Sequence, residues 1–304
     1  MADQQNVIID DRGVDFILYE AVRAQRLLEL PAFADHGRET FDIFLGTTRR
    51  FAREVLFPAY RPMDAEPPVF SAGRVKVHPR MHELYPKLVG LGILDATRPI
   101  TASGQQLPLT ISVMALAYLM GANLSAVGYL FLTTGAANLI EAFGSEAQKQ
   151  AYLEQMYSGA WTGTMALTEP QAGSSLSDIT STATPAPGGH YLIRGTKTFI
   201  SGGDQDLTEN IVNMVLARIE GAPPGIKGVS LFIVPRRRLE GGVLVENDVE
   251  TAGVIHKIGW RGLPSVILSF GEANDCHGYL VGEPHRGISY MFQMMNEARI
   301  MVGV

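Results

Sequence analysis

Between Arg98 and Glu141 the chain carries no charged residue, and that stretch constrains the fold more than any other. A run of that length must lie inside something, either a bilayer or a protein core. A membrane span needs about 20 predominantly apolar residues. Here Thr110, Ser112, Asn123, Ser125, Thr133, Thr134 and Asn138 recur through the run, and no basic cluster flanks it as the positive-inside rule requires. The stretch therefore reads as two buried helices, residues 109–120 and 125–143, broken at Gly121-Ala122-Asn123, and not as a transmembrane segment. Helices that are apolar on all sides occupy the centre of a bundle, so neighbouring sequence must surround them.

Amphipathic stretches lie on both sides of the run. Residues 15–30 place Phe16, Ile17, Val22, Leu27 and Leu28 among charges and read as a helix ended by Pro31. Residues 39–56 set Phe41, Phe44, Leu45, Thr48, Phe51, Ala52 and Val55 on one helical stripe, which Pro58 is expected to close. The Pro-rich residues 61–70 read as a loop, and residues 79–90 as a further helix. Ser145-Glu-Ala-Gln148 offers an N-cap for a last helix ending at Ser158-Gly159.

After Trp161 the pattern changes to short β-rich runs separated by Pro-Gly-Gly, Gly-Gly-Asp and Pro-Pro-Gly punctuation. Strands are expected at residues 162–167, 180–184, 191–194, 198–201, 211–217, 229–234, 243–250 and 265–270, forming a barrel or a pair of packed sheets. From Gly287 the spacing of Ile288, Met291, Met294 and Met295 is helical again. The fold class is thus α+β: a helical extension over 1–38, an α-helical domain over 39–160, an antiparallel β-barrel or two-sheet domain over 161–282, and over 283–304 the first helix of a C-terminal helical domain.

A chain of 304 residues with 46% hydrophobic residues can bury proper cores. With 25 basic against 31 acidic residues there is no excess of positive charge for nucleic acid or an anionic membrane surface. The one basic run, Arg236-Arg237-Arg238, follows a strand-like segment and reads as a solvated strand exit in preference to a phosphate patch. The single cysteine, Cys276, cannot form an intramolecular disulfide, and His277 beside it points to the opposite face of a strand, so a buried, inert thiol in a reducing, cytoplasmic compartment is expected. The N-terminal residues show neither a basic segment followed by an apolar one nor an Arg-rich composition, so no signal or transit peptide is expected.

The β-rich half opens on the stretch most suited to chemistry. Met165-Ala-Leu-Thr-Glu-Pro-Gln-Ala-Gly-Ser174 and Lys197-Thr-Phe-Ile-Ser-Gly-Gly203 each read as a strand running into a loop of small residues. Two strand ends that offer hydroxyls, exposed N–H groups and one aromatic face suit a planar, hydrogen-bonding heterocycle such as a flavin. Thr, Ser and Gly at such places also serve ordinary turns. The pattern Thr-Glu-Pro-x-Ala-Gly-Ser, followed by Lys-x-x-Ile-Ser-x-Gly, resembles the flavin-binding middle domain of the acyl-CoA dehydrogenases. His256-Lys-Ile-Gly-Trp-Arg-Gly262, Gly282-Glu-x-x-x-Gly287 and Met295-Asn-Glu-Ala-Arg299 fall in that family's order and spacing, so the resemblance runs from about Phe41 to the last residue.

That resemblance implies FAD as cofactor and α,β-dehydrogenation of an acyl-CoA thioester, with an electron-transferring flavoprotein or similar acceptor as partner and a homodimer or homotetramer as the assembly. By motif position, the backbones of Met165 and Leu167 line the isoalloxazine edge, the Thr168 hydroxyl bonds its pyrimidine end, and Ser201 sits at N5. Gly173 and Ser174 admit the ribityl and phosphate part, Ser174 also nears the CoA pantetheine, and Phe199, where relatives usually have Trp, covers one face. Arg299, with Asn296 one turn earlier, approaches the substrate's thioester. Glu169 is implied to be structural. Ser175 stands where the family commonly has Asp, which bears on local capping of that loop. No residue is assigned as catalytic base: in most relatives it is a Glu in a C-terminal helical bundle, in a subset it stands at the position of Ala298, and Glu297 is about 100° further round the helix, in a surface or interface pair. The family pattern continues into that bundle, so the chain reads as the first half of a longer protein. Two other readings stay open: a flavin oxidase or monooxygenase on the same fold, and a non-catalytic acyl-CoA or partner-binding module.

Overall fold

The computed structural model describes residues 8–304, so residues 1–7, on which the expectation of no signal peptide falls, lie outside the described residues. α1 (Asp11–Asp15) starts where the Asp10 carboxylate accepts the Gly13 N–H, then widens to a π turn over Phe16–Ala21 and ends at Arg23, whose φ of 56° is left-handed. A 3-10 segment, Ala24–Glu29, follows, so the single helix expected over residues 15–30 is replaced by short turns. Phe16, Ile17 and Val22 stay exposed. The extension is held by Val14, Leu18 and Ala24, which are buried in the core, and by charge: Asp11 pairs with Arg49 at 3.2 Å and with Arg53, and accepts from Tyr118 at 3.2 Å.

α2 (Arg38–Phe51) buries Phe41, Leu45 and Thr48 and does not stop at Pro58. It passes through a π turn, Ala52–Leu56, into α3 (Phe57–Ala65), where Pro58 occupies the first turn. That position needs no N–H, so the proline is tolerated there. The loop expected over residues 61–70 is corrected: residues 61–65 continue α3, and beyond it β1 (Val69–Ser71) and β2 (Arg74–Lys76) form a hairpin across Ala72 and Gly73, both at positive φ. α4 (Pro79–Val89) follows as predicted.

α5 (Leu109–Phe143) is the charge-free stretch, and the break falls at Asn123, with φ −159° and ψ 84°. Asn123 Oδ1 accepts the Ala126 N–H at 3.1 Å, so this side chain caps the second half of the helix. α5 is the one described helix long and apolar enough to cross a membrane, and 72% of its apolar window is buried among the other elements. α6 (Glu146–Tyr157) opens on the expected Ser145, in a reciprocal capping box with Gln148.

The second half contains β3 (Trp161–Ala166), β4 (Thr182–Pro185), β5 (Tyr191–Ser201), β6 (Asn210–Ile219), β7 (Val229–Pro235), β8 (Arg237–Glu240), β9 (Val243–Glu246), β10 (Val249–Val254), β11 (Ser265–Phe270) and β12 (His277–Leu280), then α7 (Gly287–Gly303). One sheet runs β10-β11-β5-β12-β7-β6-β3, with β4 bonded to both β5 and β6; β8 and β9 form a separate hairpin. Pairing is antiparallel except for β3 and β4 against β6, which are parallel. The expected all-antiparallel sheet is corrected there because the chain crosses the domain between these strands. The strands expected at 191–194 and 198–201 are one strand, bent at Gly195, where φ is 151° and a Cβ would stand 2.3 Å from Ser181 Oγ. The strand expected at 243–250 is divided into β9 and β10 by a turn at Asp248, with φ 50°.

The arginine run is not solvated. Arg236 is buried and pairs with Asp204 at 3.1 Å, Arg237 lies 3.4 Å from Glu246, and Arg238 reaches Asp275 at 2.9 Å. Asp204 also accepts from Val75 N and Thr251 Oγ1, which ties the β1–β2 hairpin to the sheet. Cys276 is fully buried, and burial pushes its thiol well up, as expected of an inert thiol.

Candidate functional site

The ends of β3 and β5 meet as the two motifs require. Thr198 N–H donates to the Thr168 carbonyl at 2.8 Å, and Thr164 Oγ1 donates to the Ser201 carbonyl at 2.7 Å. Beneath them Glu169, 2% exposed, is paired with the fully buried Lys197 at 2.8 Å. The same carboxylate accepts from the N–H and hydroxyl of both Thr180 and Ser181, while Lys197 Nζ also donates to the Leu167 carbonyl at 3.1 Å. Burial alone would raise Glu169, but the ammonium and these donors outweigh it and hold the carboxyl at about 2. Burial draws Lys197 down to about 8 against the pull of Glu169. A carboxylate so enclosed is a clamp between the two motif loops, in agreement with the structural role expected of it.

β3 is an edge strand, bonded along one side to β6. Gly163 N–H turns away from β6 to donate to Thr133 Oγ1 on α5 at 2.9 Å. The period of a strand puts the Met165 backbone on that same free edge, with Leu167 next in line beyond the strand's end. Across from it, β5 and β11 shift register so that Thr198 and Phe199 together oppose Ile267, a β-bulge. Phe199 takes the left-handed conformation, φ 60°, and its ring is 63% exposed. A bulge re-aims a side chain, and this one turns a large apolar ring out of the sheet beside two half-buried hydroxyls, Thr168 and Ser201. Gly173 and Ser174 lie exposed on the adjoining loop, and a Cβ at Gly173 would meet only Thr168 Cγ2, at 3.9 Å. This free strand edge, hydroxyl pair, outward ring and open glycine loop form a cradle whose donor set fits a flavin.

Behind Met165 a cavity of about 250 Å³ opens between α5 and α7. Its walls are largely apolar and include Leu116, Phe131, Met165, Met294 and Met301. Asn296 and Arg299 are not among the lining residues. They lie on the exposed face of α7, where Arg299 donates to Asn296 Oδ1 at 2.8 Å. The lining face of α7 carries Glu297 and Ala298. The expectation of a surface or interface pair for Glu297 is therefore corrected: α7 packs with this face on α5, and Glu297 is half-buried and bonded to Asn138 at 2.9 Å. The charge-free stretch hid this residue's neighbours, since nothing in the sequence sets the rotation of α7 against α5.

Comparison with known proteins agrees over most of the chain. Residues 38–160 match the acyl-CoA dehydrogenase N-terminal domain and residues 164–271 the acyl-CoA dehydrogenase middle domain. The 3-methylmercaptopropionyl-CoA dehydrogenase of Ruegeria pomeroyi is 40% identical over 84% of this chain and 43% of its own length. A butyryl-CoA dehydrogenase of Syntrophomonas wolfei is 34% identical over 98% of this chain and 51% of its own. Among solved structures, an acyl-CoA dehydrogenase from Bacillus anthracis in complex with FAD superposes with a TM-score of 0.70 at 24% identity, covering 89% of this chain and 42% of that one. The chain thus spans about half the length of the curated relatives it matches.

Proposed function

Because the chain belongs to the acyl-CoA dehydrogenase family through both its N-terminal and its middle domain, we propose that it forms part of an FAD-dependent enzyme that converts acyl-CoA thioesters to 2-enoyl-CoAs. The observation that carries this reading is the cradle at the ends of β3 and β5, set directly against the apolar cavity behind Met165. Bound there, FAD would supply the hydride acceptor. In this reading the β3 edge at Met165 and Leu167 fixes the ring by backbone contacts, and Phe199 covers one face. The Thr168 hydroxyl donates where negative charge gathers on reduction, and Ser201 donates near N5. Gly173 leaves room for the phosphate-bearing tail, with Ser174 near both that tail and the pantetheine.

The cavity receives the acyl chain. Removal of the α proton needs a carboxylate within hydrogen-bond reach. Glu169 is locked by Lys197, and Glu297 is bonded to Asn138, so we assign the base to a segment outside this chain and regard the site here as partial. Arg299 and Asn296 remain candidates for the thioester end on the exposed side of α7. An electron-transferring flavoprotein or similar acceptor would take the electrons, in a cytoplasmic homodimer or homotetramer. The test is to express the whole reading frame, quantify FAD per chain, and identify the product of acyl-CoA turnover by mass. Near-stoichiometric FAD and a product two hydrogens lighter support the proposal. A purified protein that binds no flavin, or a product that has gained oxygen, contradicts it.

A further inference from the structure

Among the described residues Glu297 is the only ionisable one that lines the cavity, and the polar groups behind it form a continuous chain. Arg98 Nε donates to Glu141 Oε1 at 2.9 Å, and its guanidinium lies 4.2 Å over the ring of Tyr157. Tyr157 Oη stands 2.9 Å from Glu141 Oε2 and 2.8 Å from the side-chain amide of Asn138. As the amide is placed, its Oδ1 accepts from Tyr157 and its Nδ2 donates to Glu297 Oε2 at 2.9 Å. Gln293 Nε2 donates to Glu297 Oε1 at 3.4 Å. From α5 the groups behind Glu297 are Asn138 and Glu141, from α6 Tyr157, and from the segment after α4 Arg98; on α7 itself Arg299 faces solvent, bonded to Asn296.

The two acceptors of Tyr157, Glu141 Oε2 and Asn138 Oδ1, compete for its one proton, and the proton count favours the flipped amide. The ion pair with Arg98 keeps Glu141 as a carboxylate. Tyr157 has one hydroxyl proton for two neighbours, and the carboxylate takes it. The phenol oxygen can then only accept, so Asn138 must turn its NH₂ toward it; the O and N of an amide exchange by a simple flip. The Asn138 carbonyl consequently faces Glu297 Oε2, and two acceptors at that distance require a proton between them. With Glu297 ionised instead, Tyr157 would have to serve Asn138, and the Glu141 carboxylate would face a bare phenol lone pair.

We propose that this chain holds Glu297 as a neutral carboxylic acid, and that the resulting uncharged wall makes the cavity selective for uncharged acyl chains. The second half rests on the reading of this cavity as the acyl site. Burial, which pushes the Glu297 carboxyl upward, agrees with it. Among the described residues no Lys, Arg or His lines the cavity, so an acyl chain ending in a carboxylate would meet no counter-charge from them. An ionised Glu297 would hold water against an apolar chain and weaken its binding. In this role Glu297 is a specificity-determining residue, not a proton acceptor.

The test uses the full-length, FAD-loaded enzyme. In the infrared spectrum at neutral pH, the wild type should show a protonated-carboxyl C=O band that Glu297→Gln removes; absence of the band, or its persistence in the variant, overturns the proposal. Acyl-CoA affinity of the wild type should fall by up to about tenfold per pH unit above the titration of Glu297. Glu297→Gln, a neutral mimic, should abolish that fall. A Glu297→Gln enzyme without turnover would make Glu297 the base and overturn the assignment. Thr134→Phe, which fills the cavity from α5, should weaken acyl-CoA binding at least tenfold. Unchanged affinity there would remove the acyl-site reading and the selectivity built on it, while the infrared result stands separately.

Discussion

Replacing Lys197 with Met should show what the clamp beneath the two motif loops contributes. Methionine has nearly the volume and flexibility of the lysine stem, so packing changes little. What changes is charge: Glu169, 2% exposed, loses its only cation and keeps its donors from Thr180 and Ser181. The carboxyl sits at about 2 against an ordinary 4.5. A shift of that size corresponds to about 3 kcal/mol at 1.36 kcal/mol per unit, which agrees with the ~3–5 kcal/mol typical of breaking one side of a buried pair. The pH dependence separates this from lost packing. Because the folded value lies below the unfolded one, the stabilisation is complete above about 4.5 and is lost as pH falls toward 2. The deficit of Lys197→Met should accordingly be largest near neutral pH and shrink in acid, where Glu169 takes up a proton in the variant first. Urea denaturation followed by the fluorescence of Trp161, which opens β3, measures both. A loss below about 1 kcal/mol at neutral pH, or one that is equal at pH 4 and pH 7.5, would refute the charge argument.

Thr168→Val should lower the flavin reduction potential. A hydrogen bond to a charged group contributes about 1.5–3 kcal/mol, and for a two-electron couple this is roughly 30–60 mV; an unchanged potential in a redox titration would place Thr168 away from the ring. Gly163→Ala should destabilise the junction of the two domains by about 1–3 kcal/mol, because its Cβ would stand 2.6 Å from Ala136 Cβ and 2.8 Å from Met156 Cε; thermal melting reads the loss. The 304-residue chain by itself should release FAD on gel filtration, since in the proposed assembly it covers only part of the cofactor; a stoichiometric yellow complex would contradict that.

The helical core was legible because an uncharged run has few places to go, and even its break at Asn123 was visible as Gly-Ala-Asn. Strand existence was legible for the same reason of pattern, yet the join of residues 191–201 through Gly195 was not, since a glycine in a strand reads equally as a stop. The outward turn of Phe199 depends on register against β11, a non-local property. Arg236 shows the opposite failure: three adjacent arginines look solvated until Asp204, Glu246 and Asp275 arrive from distant segments. Pro58 misled because a π turn can place a proline in the first turn of the next helix. The motif residues of β3 and β5 came together as spaced, whereas the orientation of α7, which decides whether Glu297, Asn296 or Arg299 faces the cavity, has no local signal.

In the function proposed above, the cradle at β3 and β5 holds a flavin that receives a hydride from an acyl chain lodged behind Met165. Anaerobic titration of the purified full-length protein with a saturated acyl-CoA, followed by visible absorbance, tests it directly. Bleaching of the flavin band in proportion to added acyl-CoA, abolished when the cavity is filled by Thr134→Phe, is the predicted result. A flavin band that no acyl-CoA diminishes, in a protein that dithionite reduces normally, would rule out hydride transfer from an acyl chain at this site.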